Sequence, residues 1–288
     1  MCVTILSHNG PGKSMAGVAV TEEQGSLRTT ALRAVDAAAV AELAWVVDGS
    51  VGAVPVVPLR LGDRVAVAMP YALADRLRPV GVASAVALVL SDPRLAGAAW
   101  RPIVLRGRPE LVDDVTGEVF ENDLLDQELR KHPPSRAYAD SLLLRHENWW
   151  YLPRLMVTFE PVDIVPVEAR TSARRQGVLA LAGAGDRLDV RTVEVDNWTQ
   201  RPLTLRAAYG EGTAALLTHD FSEPDLERWA AHLLTGRLTG DSLRVTHGPL
   251  GPPPPLKGLG LRERIRRHRD LERGCRRGIR TAERAAGI

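Results

Sequence analysis

Trp100-Arg-Pro-Ile-Val-Leu-Arg-Gly107, followed by Glu110-Leu-Val-Asp113, is the stretch on which the reading of the fold turns. Its β-branched and apolar residues form a strand pattern that Asp113-Asp114 breaks. Three similar runs precede it: Ala53-Val-Pro-Val-Val57, Arg64-Val-Ala-Val-Ala68 and Ser84-Ala-Val-Ala-Leu-Val-Leu90. A short helix over about Ala72 to Arg78 separates the last two. Before them, Leu32, Val35, Ala39 and Leu43 recur at helical spacing, which predicts a helix from about Thr30 to Trp45, closed by a turn at Asp48-Gly49.

After the opening stretch, Gly117 to Arg130 reads as a helix with Phe120, Leu124, Leu125 and Leu129 apolar. His132-Pro133-Pro134 ends it, because proline cannot continue a helix. Strands are expected at Trp149 to Leu152, where the adjacent tryptophans would face opposite ways, and at Arg154 to Phe159. Helix, three strands, helical crossing and long strands describe a closed or nearly closed barrel rather than βαβ repetition. The class is α+β, mainly β.

Arg170 to Arg175 is charged and small and reads as a linker. The second region, about 176–248, shows strands at Val178 to Ala182, Leu188 to Val195, Leu203 to Ala208 and Leu243 to His247. Ser222 and Asp225 form a capping-box pattern, and Leu226, Trp229, Ala230, Leu233 and Leu234 follow helical spacing, so a core-facing helix is expected there. This makes the second region a small α+β unit. Four prolines, Pro252 to Pro255, make 249–258 a stiff spacer. Beyond it, 259–288 reads as a basic amphipathic helix, with Leu261, Ile265, Leu271, Cys275, Ile279 and Ala282 near one face and arginines opposite. Residues 1–28 read as a flexible leader, with Met15 as an alternative start, which leaves 29–170 as the first domain.

The chain has 288 residues, 45% of them hydrophobic and 25% charged, the balance of an ordinary globular protein. Its net charge of +2 conceals a division. Residues 257–288 hold 11 basic and 4 acidic side chains, giving +7 against −5 for the rest. No apolar stretch reaches the ~18–20 residues of a spanning helix. Two cysteines, Cys2 and Cys275, supply neither a disulfide framework nor a four-ligand zinc site, so a reducing cytoplasm is the expected compartment.

Most chemical motifs fall short. Gly10-Pro-Gly-Lys-Ser14 lacks the first glycine of a phosphate loop, with Ser7 in its place. His146-Glu147 and His219-Asp220 have no third metal ligand nearby and read as structural or solvent-facing pairs; no metal site is expected. No Gly-x-Ser-x-Gly is present, and no catalytic residue is assigned.

The order of elements resembles the pyridoxamine 5′-phosphate oxidase-like, FMN-binding split-barrel superfamily over about Thr29 to Glu168. The resemblance rests on the Asp48-Gly49 hairpin, Pro55-Val-Val-Pro-Leu-Arg60, the crossing at Tyr71 to Arg78, and Val86-Ala-Leu-Val-Leu-Ser-Asp-Pro93. It continues through the opening stretch and Asn148-Trp-Trp-Tyr151 running into Glu160-Pro-Val-Asp-Ile-Val165. It implies a homodimer binding FMN at its interface and acting as an oxidoreductase on a small molecule. By position, Arg60, Arg76 and Arg78 would meet the phosphate, and Tyr71, Trp149 and Trp150 would border the ring. The crossing departs from the oxidases proper: Ala74-Asp75-Arg76 stands where they carry Ser-Arg-Lys, and Asp75 puts negative charge near the phosphate position. Alternatives are therefore a relative binding deazaflavin F420 or heme, as His132-Pro-Pro-Ser-Arg-Ala-Tyr138 suggests, or a non-catalytic binding protein with a decayed flavin site. Nucleic acid is not expected as a partner, because the basic helix has no interleaved aromatics for base stacking.

Overall fold

The computed structural model describes residues 15–183, 187–254, 256 and 258–287, and of 15–24 the backbone alone. Helix α1 (Met15–Ala37) leads into β1 (Ala41–Val47), β2 (Ser50–Val56), β3 (Leu59–Leu61) and β4 (Arg64–Pro70). Two 3-10 turns, Tyr71–Arg76 and Arg78–Val82, cross to β5 (Ala85–Leu90), β6 (Ile103–Gly107) and β7 (Glu110–Asp114). A π-helical turn, Phe120–Leu124, opens α2 (Leu125–Lys131), and α3 (Arg136–Ala139), α4 (Leu142–Glu147) and a 3-10 turn at Trp149–Tyr151 follow. The chain continues through β8 (Arg154–Phe159), β9 (Asp163–Pro166), β10 (Gln176–Ala182), β11 (Leu188–Val195) and β12 (Leu203–Arg206). It ends with β13 (Glu211–Phe221), β14 (Trp229–Thr239), β15 (Ser242–His247) and α5 (Leu261–Ala286).

The first part forms two antiparallel sheets, β2-β1-β5-β6-β9 and β3-β4-β8-β7. Leu43, Trp45, Val54, Leu88 and Leu105 from one sheet and Leu59, Val67, Leu155, Val157 and Phe159 from the other share one core, with Leu32 and Val35 of α1. The β1–β2 hairpin turns at Asp48 (φ 48°) and Gly49 (φ 72°), the doubly left-handed geometry that makes Asp-Gly a hairpin signal.

The second part is a closed six-stranded barrel, β10-β11-β12-β15-β14-β13. Its interior is filled by Leu179, Leu181, Val193, Leu203, Leu205, Leu216, Leu234 and Leu243 among others. The outer sheet of the first part lies against this barrel. Ala44, Val46, Val51, Ala53, Ala87, Val89 and Val104 pack on Val178, Ala180, Leu188, Val190, Ala215 and Leu217. Strand β1 is thus buried on both faces: Leu43 and Trp45 point to the inner core, Ala44 and Val46 to the barrel.

Several expectations need correction. The first helix lies earlier than its periodicity suggested: it begins at Met15, within the expected leader, and ends at Ala37. Residues 41–45 are strand because β2 and β5 pair with both edges of β1. Trp149 to Leu152 is a helical turn rather than a strand. The helix expected from Ser222 is a loop running into β14, so the second region is a barrel, not α+β. Eleven residues of β14 pair in register with β13, which satisfies a ladder a lone helix could not match. The apparent capping box closes the loop instead: Ser222 Oγ donates to Asp225 Oδ1 (2.6 Å) and accepts from the Arg228 amide (3.0 Å). Leu226 takes a left-handed backbone (φ 53°), foreign to a helix interior, and is buried beside Ala39, Val40 and Phe221. Gly10 to Ser14 lies outside the described residues. No helix among the described residues is long and apolar enough to cross a membrane.

Arg170, expected in a linker, is buried between sheet and barrel. Its guanidinium donates to Asp92 Oδ2 (2.6 Å) and the His219 carbonyl (2.9 Å), and its Nε lies 3.6 Å from Glu42 Oε1. Glu42 Oε1 also meets His219 Nε2 (2.7 Å) and accepts from Ser91 Oγ (2.9 Å). Burial opposes ionisation of Asp92, but hydrogen bonds from Arg94 and the charge of Arg170 prevail and hold its pKa below the ordinary value. Burial, helped by Arg170, lowers that of His219. Removing one member of such a buried group leaves the others uncompensated, at about 3–5 kcal/mol. Arg170→Ala is expected to lose that much in urea unfolding, whereas Arg237→Ala, which breaks the exposed pair with Glu211, loses under about 1 kcal/mol.

Lys131 is a half-buried cation that also ties elements together. Its Nζ donates to the carbonyls of Val35 and Pro58 (both 2.7 Å), tying α1 to the β2–β3 connection. Burial pushes its pKa down to about 7 against the pull of Asp36. The unfolded ammonium keeps its proton up to about pH 10. Between those values unfolding takes up a proton, so stability rises with pH. Unfolding free energy is expected to increase by about 2 kcal/mol from pH 7 to 9, an increment absent in Lys131→Met.

Candidate functional site

Helix α5 builds the seam where most of the expected cofactor residues meet. Its apolar positions Cys275, Ile279 and Ala282 are buried against the first part of the chain. Two glycines on the same side allow the backbones to approach. A Cβ at Gly278 would stand 2.8 Å from Tyr71 Cβ and 2.9 Å from its carbonyl oxygen, and one at Gly274 2.6 Å from Ala72 Cβ. The helix therefore lies directly on the 3-10 crossing that carries Tyr71, Arg76 and Arg78. Along its length it also meets the Trp149–Tyr151 turn. His268 stacks on Tyr138 (5.3 Å) and meets Trp150 edge-on (5.6 Å), and Arg276 sits over the Trp149 ring (5.1 Å).

Tyr71, Arg76, Trp149 and Trp150 thus lie on the two turns that α5 spans, and Arg78 opens the 3-10 turn that follows the first of them. Arg60 is tied elsewhere, on β3. It pairs with Asp36 (3.3 Å), and its backbone exchanges hydrogen bonds with the Gln127 side chain. Trp150 is 1% exposed and Trp149 46%, so one is core and the other faces solvent, though on a helical turn rather than on opposite faces of a strand. Tyr71 is buried and donates to Asp113 Oδ1 (2.5 Å). Burial and that carboxylate push its pKa far above the ordinary tyrosine value. Arg78 lies between Asp75 (3.5 Å) and Asp113 (3.8 Å). Arg76 is exposed and forms no ion pair among the described residues. A cleft of about 380 Å³ beside the seam is lined by Asp113 and Asp114 of β7, by Val115 and Thr116 just beyond it, and by Ala282, Ala285 and Ala286 of α5.

The seam of a single chain leaves few groups free for FMN. Its phosphate needs free cations and its ring an open apolar wall. Here Arg78 is shared by two carboxylates, the nearest cleft presents two aspartates, and α5 covers Tyr71 and Trp150. Sequence reasoning identified Asp75 as an obstacle but missed Asp113, which binds both Tyr71 and Arg78. The sign of its charge was readable, its position across the sheet was not.

A second polar cluster lies beneath the same seam. Glu128 Oε1 accepts from Ser135 Oγ (2.7 Å), Tyr151 Oη (2.8 Å) and Arg154 (3.4 Å), and His132 Nδ1 meets Ser135 Oγ at 2.9 Å. A nucleophile activated by histidine would need the imidazole between serine and carboxylate. Here the serine is the middle member and is fully buried, so the group acts as a structural network under α2 and α3. His146 and Glu147 are exposed, and His219 is in the buried group around Arg170. No cluster of three or more metal-ligating side chains occurs among the described residues.

Neither a protein-family model nor a curated protein matches the sequence.

The close approach at Gly278 sets the sign of a substitution there. Alanine would add up to about 1 kcal/mol of helix propensity. It would also press on the Tyr71 backbone, and overpacking costs about 1–3 kcal/mol. Gly278→Ala is expected to destabilise the protein by about 1–2 kcal/mol net, and to raise hydrogen exchange in residues 71–76.

Proposed function

We propose that the chain is a non-catalytic binding protein related to the FMN-binding split barrels, in which the cofactor face has been taken over by the chain's own C-terminal helix. The packing of α5 on the Tyr71–Arg76 crossing supports this reading. The Tyr71–Asp113 bond and the two carboxylates around Arg78 point the same way, since they use internally the groups a flavin would need. The relationship to the split barrels rests on the sequence resemblance and on the hairpins and crossing in the expected order. On this reading the protein works through its surface rather than through chemistry at a bound group.

A second reading, an FMN-dependent oxidoreductase acting on a small molecule, is favoured by one observation. Exposed Arg76 and Trp149 lie on the two turns that meet α5, so a phosphate has one free cation there and a ring one solvent-facing aromatic, which already carries Arg276 over its face. It carries with it the expected homodimer, because FMN would complete its site at the interface. Deazaflavin F420 and heme would meet the same covered seam.

Purified full-length protein is expected to be colourless, to leave the fluorescence of added FMN unquenched, and to melt at the same temperature with and without FMN, F420 or heme. A ligand bound by the native state at a hundred times its Kd adds about 2.7 kcal/mol. A yellow preparation, or a melting temperature that climbs with one of these ligands, overturns the proposal and establishes the second reading.

A further inference from the structure

The docking of α5 leaves a row of arginines on its opposite face. Arg262, Arg266, Arg269, Arg273, Arg277, Arg280 and Arg284 are spaced by three or four residues and are all exposed. At 100° per residue they fall within an arc of about 80°. At 1.5 Å per residue they form a line about 33 Å long, one guanidinium wide. The buried Cys275, Ile279 and Ala282 lie on the far side of the helix.

The pairing of the arginines separates this line from the rest of the helix. Arg264, Arg267 and Arg276, outside that arc, are tied down: Arg264 pairs with Glu227 (2.9 Å), Arg267 donates to the Glu227 carbonyl (2.5 Å) and Arg276 pairs with Glu272 (2.9 Å). On the line, Arg273 meets Asp270 (2.5 Å) and Arg284 donates to the Arg280 carbonyl (2.9 Å). Arg262, Arg266, Arg269, Arg277 and Arg280 offer their guanidinium groups to no acceptor among the described residues.

We infer that this line of arginines is a docking surface for a nucleic-acid duplex, held through its phosphates without base specificity. A row of free cations matches a rod-shaped polyanion, whose duplex carries a phosphate every ~1.7 Å of axis. Phosphate contact of this kind needs no stacking aromatics, which serve single strands. An anionic bilayer is a poorer match. Surface helices bind membranes by burying their apolar face, and that face of α5 is already buried in its own chain. Exposed Leu261 and Ile265 remain at its first turns, too few to anchor it. A bilayer is also a plane, and the rest of the molecule meets it with a net −5. The inference goes beyond the proposed binding role and holds whether or not a flavin binds.

The test uses full-length protein and fluorescence anisotropy with a 30-bp DNA duplex, an RNA duplex of the same length and a 30-nucleotide single strand. Binding to at least one duplex is expected to weaken about a thousandfold between 50 and 200 mM salt. Replacing Arg266, Arg269, Arg277 and Arg280 together by Gln is expected to lower the slope of log K against log salt by about 3.6. Replacing the same four by Lys is expected to retain most of the binding, and thermal melts establish that both variants are folded. Arg237→Gln with Arg244→Gln, on the barrel, leaves binding unchanged. The inference is overturned by absence of duplex binding at 50 mM salt, by binding that the four Gln changes do not alter, or by a preference for the single strand. Tighter binding to phosphatidylserine vesicles than to either duplex, or a dimer that the Gln changes dissociate, assigns the line to a membrane or a second copy and equally overturns it.

Discussion

The burial of Arg170 between the sheet and the barrel is the constraint around which the molecule is organised. The apolar contact between the two parts is made mainly by small alanine and valine side chains, with Leu188 and Leu217 from the barrel. The guanidinium admits one arrangement, with Asp92, Glu42 and the His219 carbonyl all in place. Arg94 extends the group outward, bonding Asp92 and Asp220 and lying over the Phe221 ring at 3.9 Å. Charges out of water are costly unless every one is met. The cost of a misplaced barrel is therefore steep, which gives the apolar contact a fixed register.

That arrangement explains what the sequence does and does not disclose. β2, β4, β5 and β6 are legible because buried strands read as continuous apolar runs, whereas the three-residue β3 is too short to stand out. The same property misleads at β1. Ala41 to Val47 is apolar at nearly every position, so the helical stripe before it extends into it without a break. Glu42, the one interruption, looks like a surface residue and is in fact fully buried against Arg170. Arg170 sits among charged and small neighbours and reads as a linker, since nothing local distinguishes a solvated arginine from one enclosed by residues far away in the sequence.

Trp229 to Leu234 shows the limit of periodicity more sharply. Its residues satisfy helical spacing, and Ser222 with Asp225 supplies the polar signature of a helix start. The partner that overrides both is β13, whose eleven-residue ladder exists only in three dimensions. The candidate site was legible to a similar degree. Tyr71, Arg76, Arg78, Trp149 and Trp150 do come to one seam, so order along the chain located a real junction. What closes that junction was not legible. The amphipathic pattern of α5 announces a docking face, and Gly274 and Gly278 announce a close approach, but neither says against what.

The two faces of α5 have to be understood together. A basic tail on a proline-rich tether would pay to become ordered when it met a partner, and that cost would come out of the affinity. Here the ordering is accomplished during folding, by Cys275, Ile279 and Ala282 and by the pairing of Arg264 and Arg267 with Glu227. The body of the chain ties down Arg264 through the Glu227 carboxylate and Arg267 through the Glu227 carbonyl. The arginines turned outward keep their charge in a straight, rigid line. The contact that covers Tyr71 and Trp150 is therefore the same contact that presents the arginines, and a substitution that loosens one, as at Gly278, must blur the other.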